Sequence, residues 1–108
     1  MRRAAVYFRG MFAGDLMEPA PGEYVFRYDD EYYNNSAMPE ISLTLSKKQQ
    51  EYHASSLFPF FYNMISEGYN RKVQARSLQI DERDDFGILL ATAQYDVPGA
   101  VTLKPVAQ

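Results

Sequence analysis

The tripeptide Asp85-Phe86-Gly87 is a short motif associated with metal-dependent chemistry. In phosphoryl-transfer enzymes its aspartate holds magnesium, but it works there with a glycine-rich phosphate loop, a catalytic Asp–Asn loop and a strand lysine. The sequence contains none of these partners. Acidic residues at this point also suit the positive N-terminal end of a helix dipole. We therefore interpret Asp84 and Asp85 as the start of a helix.

Other residues that support catalysis or metal binding are scarce. The chain has no cysteine, which excludes disulfides, thiolate metal sites and a cysteine nucleophile. Its single histidine, His53, excludes a two-histidine metal site within one chain, and no orienting carboxylate or nucleophile is marked near it. Carboxylates such as Asp29 and Asp30 are adjacent in sequence, so their side chains need not converge. We therefore expect no enzyme activity of its own, no cofactor and no metal.

Charge and hydropathy exclude two further classes. Eleven Lys and Arg residues against fourteen Asp and Glu give a net charge of −3, which lacks the attraction used in nucleic-acid binding. No apolar run approaches the roughly 20 residues of a membrane helix, and the basic start at Met1-Arg2-Arg3 is not followed by an apolar signal segment. We expect one cytoplasmic domain, residues 1–108, that binds neither nucleic acid nor membranes.

The segment 57–65 carries the strongest interaction signal. Aromatic residues make up 15% of the chain, more than one small core requires, and tyrosine is common at interfaces. Apolar residues recur here at i, i+4, i+7 and i+8, which places them on one face of a helix. They are Leu57, Phe61, Met64 and Ile65. The aromatic residues between them, Phe58, Phe60 and Tyr62, point at least partly away from that face. They either pack under neighbouring strands or face a partner, and the sequence leaves both alternatives open.

Alternation and turn residues predict strands in the first half of the chain. Strands at 4–8 and 11–17 form an N-terminal hairpin, because Gly10 can supply the positive φ of a short turn. Pro21-Gly22 fits the centre of a type II turn and leads to a strand at 23–28, followed by a loop at 29–38. Period-2 alternation predicts another strand at 41–45. The polar residues 46–53 are predicted to form a loop.

Helical periodicity follows in the second half. We predict a helix capped by Ser55 or Ser56 with Pro59 in its first turn, a second from about 67 or 69 to 78, and a third that begins near Asp84 and carries Phe86, Leu89, Leu90 and Ala93. A last strand covers 100–106. The predicted fold class is α+β: a small antiparallel sheet packed with two or three helices inserted at about 55–93.

Four ordered motifs resemble one known family. They are Pro39-Glu40-Ile41-Ser42-Leu43-Thr44-Leu45, then Leu57-Phe58-Pro59-Phe60-Phe61-Tyr62-Asn63-Met64-Ile65-Ser66-Glu67-Gly68 with Arg71, then Asp84-Asp85-Phe86 with Leu89-Leu90, then Asp96 with Gly99-Ala100-Val101. Together with the N-terminal hairpin, they are similar to the N-terminal subdomain of HipA-type serine/threonine kinases, bacterial toxins of toxin–antitoxin systems. The resemblance covers roughly residues 3–106.

The resemblance implies a function that the residues alone do not give. In the single-chain kinases this subdomain precedes a larger kinase core, and the sequence here stops at Gln108, where that core would begin. It therefore resembles the split, HipS-like arrangement, which implies a non-catalytic, antitoxin-like subunit that binds and regulates a HipA-type kinase core on another chain. A HipB-like helix-turn-helix protein is a further expected partner, and a weak homodimer stays open. The alternative is a small peptide- or ligand-binding module unrelated to kinases, with strand 41–45 accepting an extended peptide.

A candidate partner surface follows from the resemblance and the aromatic excess. Its residues are Phe58, Phe60, Tyr62, Glu67, Tyr69 and Arg71. The sequence departs from the family at Ser66, where proline is usual, at Gln94-Tyr95, where Gly-Arg is usual, and at Tyr69, which is often tryptophan. A large aromatic side chain at 69 is expected to enter a groove near the kinase active site.

Overall fold

The structure, a computed structural model, describes residues 2–65, 81, 83–92 and 100–106. Within these ranges the chain forms a five-stranded sheet and three short helices, which confirms the predicted α+β class. In chain order the elements are β1 Arg2–Phe8, β2 Met11–Ala20, β3 Glu23–Tyr28, α1 Asp30–Asn34, β4 Glu51–Ala54, α2 Pro59–Tyr62, α3 Asp85–Thr92 and β5 Val101–Pro105.

The sheet is open and antiparallel, with the strand order β4-β3-β2-β1-β5. The predicted hairpin turns are confirmed: Arg9 and Gly10 both have positive φ between β1 and β2, and Gly22 has a φ of +80° between β2 and β3. Strand β2 runs longer than predicted, through Pro19 to Ala20, because the chain turns only at Pro21-Gly22. The last strand, predicted at 100–106, forms as β5 and pairs with β1.

One face of the sheet supplies most of the core. Val6, Leu16, Phe26 and Leu103 lie on this face and are at most 2% exposed. Side chains of the helices and loops pack over them. The largest of these are Tyr32, Phe61, Phe86, Leu45, Ile88 and Leu89.

Gly14 allows β2 and β3 to approach closely. A Cβ atom at this position would overlap the carbonyl oxygen of Arg27 and lie 3.0 Å from the Cα atom of Tyr28. Next to it, the β1–β2 register shifts between Val6 and Tyr7, so the strand carries an irregularity where it meets the end of β3. Glycine is therefore required here by contact with a neighbouring strand rather than by its φ angle.

The strand predicted at 41–45 is wrong. Ser42 and Leu45 form only an isolated bridge across a tight turn. The alternation arises because Ile41 and Leu45, at the two ends of the turn, are buried, whereas Leu43 at its tip is 89% exposed. The Tyr28 hydroxyl group holds both ends: it accepts a hydrogen bond from the Ile41 amide at 3.0 Å and donates one to the Leu45 carbonyl oxygen.

The two segments predicted as loops each contain a short element. Residues 29–38 include helix α1, in which Tyr32 is buried and donates a hydrogen bond from its hydroxyl group to the Pro39 carbonyl oxygen. Residues 46–53 lead into β4, which pairs with β3 and makes one edge of the sheet. The peptide-binding alternative placed the accepting strand at 41–45, but these residues form a turn, and the edge strand next to β3 is β4.

The predicted helices agree in part with the structure. The first helix is shorter than expected, since it begins at Pro59 and ends at Tyr62. Its N-cap residue is Phe58 rather than Ser55 or Ser56. The third is confirmed as α3. The second, predicted from about 67 or 69 to 78, lies outside the described residues, as does Ala93 of the third. No helix among the described residues is long and apolar enough to cross a membrane.

Candidate functional site

The aromatic segment 57–65 is anchored in the core through α2. Proline occupies the first helical position, where its missing amide proton costs nothing, and the Phe58 carbonyl oxygen accepts hydrogen bonds from the Phe61 and Tyr62 amides at 3.0 and 2.9 Å. Phe61 is fully buried, with ring centroids 5.7 Å from Phe26 and 5.2 Å from Phe60. The helix is thereby fixed against β3.

The sequence left two alternatives open for the outward aromatic residues: packing in the core or contact with a partner. The structure gives different answers for different residues. Phe58 is 7% exposed and belongs to the core, so its side chain is not available to a partner in this conformation. Phe60 and Tyr62 are half-buried and pack against the core with one part of each ring. The other three candidate interface residues, Glu67, Tyr69 and Arg71, lie outside the described residues.

The Asp85-Phe86-Gly87 motif begins α3, as predicted. The Asp84 carboxylate accepts a hydrogen bond from the Gly87 amide at 3.1 Å, which satisfies one of the unpaired amides of the first turn. A Cβ atom at position 87 would collide with that carboxylate, so the glycine belongs to the cap. Among the residues described, no group of three His, Cys, Asp or Glu side chains is placed to hold a metal ion.

An ion-pair cluster joins this helix to the sheet. The Arg2 guanidinium donates two hydrogen bonds to the Asp84 carboxylate, both at 2.9 Å, and a third to Glu18 at 2.8 Å. Its carbon centre also lies 5.3 Å from the centroid of the Phe86 ring. These hydrogen bonds from Arg2 hold the pKa of the Asp84 carboxyl below its ordinary value of 3.8. The cluster positions α3 on the sheet.

A second surface, which sequence reasoning missed, lies between the β1–β2 hairpin and α1. It is a cleft of about 280 Å³, called here the hairpin cleft, lined by Met11, Phe12, Asp29, Glu31, Tyr32 and Asn35. Met11 is 47% and Phe12 37% exposed. The sequence held two features that indicate such a surface: two adjacent apolar residues directly after a turn, and an acidic run at 29–31. Only the fold brings these two segments together.

The carboxylates around this cleft are not equally compensated. Asp30 accepts hydrogen bonds from Gln50 at 2.6 Å and Arg27 at 3.1 Å, and these hold the pKa of its carboxyl below the ordinary value. In the described part of the chain, no cation lies within ion-pair distance of Asp29 or Glu31. Among the described residues, Asp29 and Glu31 thus line the cleft without an ion-pair partner, beside the exposed side chain of Met11.

His53 lies on the edge strand β4 rather than in the predicted loop. Its Nε2 atom is 2.6 Å from the Glu51 Oε2 atom, and its side chain is 67% exposed. An exposed imidazole whose one carboxylate neighbour is also exposed lacks the buried, oriented surroundings of a catalytic base.

Comparison with known proteins identifies the family. The HipA N-terminal domain family matches residues 4–104, which is nearly the whole chain. The chain belongs to the HipA N-terminal domain family. A solved structure described as the N-terminal domain of HipA toxin agrees with the fold: it has a TM-score of 0.74 and 26% sequence identity, and the match covers 100% of this chain and 95% of that one.

Two relatives show how this domain occurs elsewhere. An uncharacterized protein of Haemophilus influenzae is 32% identical over 108 residues, and the match spans 96% of its length. The "Putative kinase Y4mE" of Sinorhizobium fredii is 27% identical over 103 residues, but the match spans only 24% of its length. This chain therefore corresponds to the HipA N-terminal domain and to about a quarter of the larger protein.

Proposed function

We propose that this chain is a non-catalytic, antitoxin-like subunit that docks on the kinase core of a HipA-type serine/threonine kinase carried by a separate chain and regulates it. The observation that carries the proposal is the family membership. The chain matches the HipA N-terminal domain over residues 4–104, and the same domain makes up about a quarter of Y4mE.

The Haemophilus influenzae relative supports a separate small subunit. Its length is nearly that of this chain, so the domain occurs there without a kinase core on the same polypeptide. A domain that is covalently attached to a core in one relative and not in another retains a surface suited to that core. A HipB-like helix-turn-helix protein is a further proposed member of the complex.

The proposed docking surface is centred on the end of the aromatic segment. Phe60 and Tyr62 have partly exposed rings that are fixed by α2, and rigid aromatic side chains are favoured in the centre of interfaces. Glu67, Tyr69 and Arg71 follow them in the sequence and complete the proposed surface. Phe58 supports it from the core.

Co-expression with a HipA-type kinase core from the same genome tests the proposal. We expect the two chains to copurify, and we expect kinase autophosphorylation and growth arrest to change when the small chain is present. A decrease in both readouts identifies an antitoxin, and an increase identifies a subunit that completes the kinase. Absence of copurification, or unchanged kinase activity in the complex, would contradict the proposed regulation.

A further inference from the structure

We propose that the hairpin cleft receives an arginine or lysine side chain from an exposed segment of the kinase core chain. The chemistry of the occupant is inferred from the cleft itself, and the identity of the partner rests on the proposed function. This places a second contact on the molecule, formed by the β1–β2 hairpin and α1 instead of the aromatic segment.

The apolar part of the cleft fits the stem of a long basic side chain. Met11, which pairs with Phe8 at the end of the hairpin, lines the cleft and is 47% exposed, whereas the ring of its neighbour Phe12 packs 5.7 Å from that of Tyr7. Arginine and lysine cover apolar surface with their methylene groups and keep the charged end in a polar setting. A thioether is an adaptable partner for such a stem.

The charged part of the cleft fits the end of the same side chain. Asp29 and Glu31 have no cation within ion-pair distance among the described residues. The nearby ammonium group of Lys47 donates hydrogen bonds to the carbonyl oxygens of Asn35 and Met38 at 2.7 and 2.9 Å, so it neutralises neither carboxylate directly. A partner that supplies a cation therefore complements charge that this part of the chain leaves uncompensated.

The size of the cleft limits what it can hold. Small-molecule and cofactor sites usually enclose about 300–1,000 Å³, and this cleft, at about 280 Å³, lies just below that range. Its lining is also open to solvent on the side of Met11 and Phe12. A single side chain from a protein surface fits these limits better than a nucleotide does.

A peptide titration of the 108-residue chain tests the chemistry of the cleft. The probe is the acetylated, amidated peptide Gly-Leu-Arg-Leu-Gly, and the matched control peptide has glutamate in place of arginine. By NMR, we expect the Met11 methyl signal to shift with the arginine peptide alone. The double variant Asp29→Asn/Glu31→Gln should weaken this binding about tenfold, as expected for the loss of two partly exposed ion pairs. Equal shifts with both peptides, no shift up to millimolar peptide, or unchanged binding by the variant would overturn the inference.

A second measurement tests whether the kinase core is the source of the basic side chain. The affinity of the core is compared between the wild type, the double variant and a control, Glu23→Gln/Asp81→Asn, which removes two exposed carboxylates outside the cleft. Selective weakening by the cleft variant supports the assignment. Equal affinity for all three overturns the assignment but leaves the proposed function intact. If no chain binds the core, the proposed function fails, and the peptide titration alone decides the nature of the cleft.

Discussion

The hydroxyl group of Tyr28 fixes the backbone of segment 41–45, for which the sequence predicted strand pairing instead. It bonds the backbone at Ile41 and Leu45 and so pairs two buried polar groups that have no strand partner. Its own aromatic ring is fully buried, and burial raises the pKa of its hydroxyl group to about 12. The group therefore keeps its proton, and with it the hydrogen bond to Leu45, throughout the neutral range.

Removal of this hydroxyl group should destabilise the fold. In Tyr28→Phe, the Ile41 amide and the Leu45 carbonyl group lose their partner in a buried place, which costs about 1–3 kcal/mol. Urea unfolding measures the change in the free energy of unfolding. Tyr33→Phe is the control, because no hydrogen bond of its hydroxyl group occurs within the described part of the chain. Equal stability of the two variants would contradict the role assigned to Tyr28.

Single residues could be predicted where their own chemistry fixes the backbone. Gly10 and Gly22 mark turns because few other residues adopt positive φ. Gly14 could not be predicted, since the contact that requires it comes from β3. The same limit applies to Phe58, whose burial depends on which neighbours the fold places around it.

At the level of elements, α3 is held on the sheet by the bonds of Arg2 to Asp84 and Glu18. The pKa of the Asp84 carboxyl is lowered in the folded state, so its ion pair stabilises the fold above the ordinary pKa of 3.8. That contribution is lost as the pH falls through the lowered value, because the protonated carboxyl no longer pairs with the guanidinium.

Asp84→Asn should therefore flatten the acid side of the stability profile. Asparagine still caps α3, so the loss is confined to the ion pair and amounts to about 1 kcal/mol at neutral pH for this partly exposed pair. Below the folded pKa of Asp84, the variant and the wild type should converge. Urea midpoints between neutral and acid pH measure this. An unchanged slope in Asp84→Asn would refute the argument.

The sequence predicted those helices and strands correctly in which the local pattern of apolar residues matches the side chains that the fold buries. Strands β1, β2, β3 and β5 combine alternation with clear turns, and α3 combines a cap with an apolar face. Strand β4 was missed, because Glu51-Tyr52-His53-Ala54 offers only one aromatic ring and one alanine to the core face and depends on pairing with β3. Helix α1 was missed because one buried residue, Tyr32, gives no periodicity.

At the scale of the whole molecule, both edges of the sheet resist further pairing. Register and the Tyr28-to-Gln50 hydrogen bond place the amide and carbonyl groups of Glu51 and His53 on the outer side of β4. The Gln49 side chain already donates to the Glu51 carbonyl oxygen at 2.9 Å. At the other edge, β5 ends in Pro105, which has no amide proton. These features disfavour peptide addition and favour side-chain surfaces as the contact sites.

Docking on the proposed kinase core should depend on the end of the aromatic segment. Tyr69→Ala should weaken the affinity by about 2 kcal/mol, as expected when a central aromatic side chain is truncated. Calorimetry with the purified core measures the change. The control is Leu43→Ala, which truncates a side chain that is 89% exposed and distant in sequence from the proposed surface. An unchanged affinity for Tyr69→Ala would remove this residue from the interface.

The pairing of β5 with β1 has a consequence for synthesis in the cell. The Arg3 carbonyl group and the Arg9 amide find their partners only at Val106 and Ala100, so one side of β1 stays unpaired until residues 100–106 have left the ribosome. Until then, the nascent polypeptide exposes the unpaired amide and carbonyl groups of β1 next to the apolar residues Ala4 and Val6. Unpaired strand edges beside apolar side chains promote chaperone binding and aggregation. Premature termination before position 101 would make this transient state permanent.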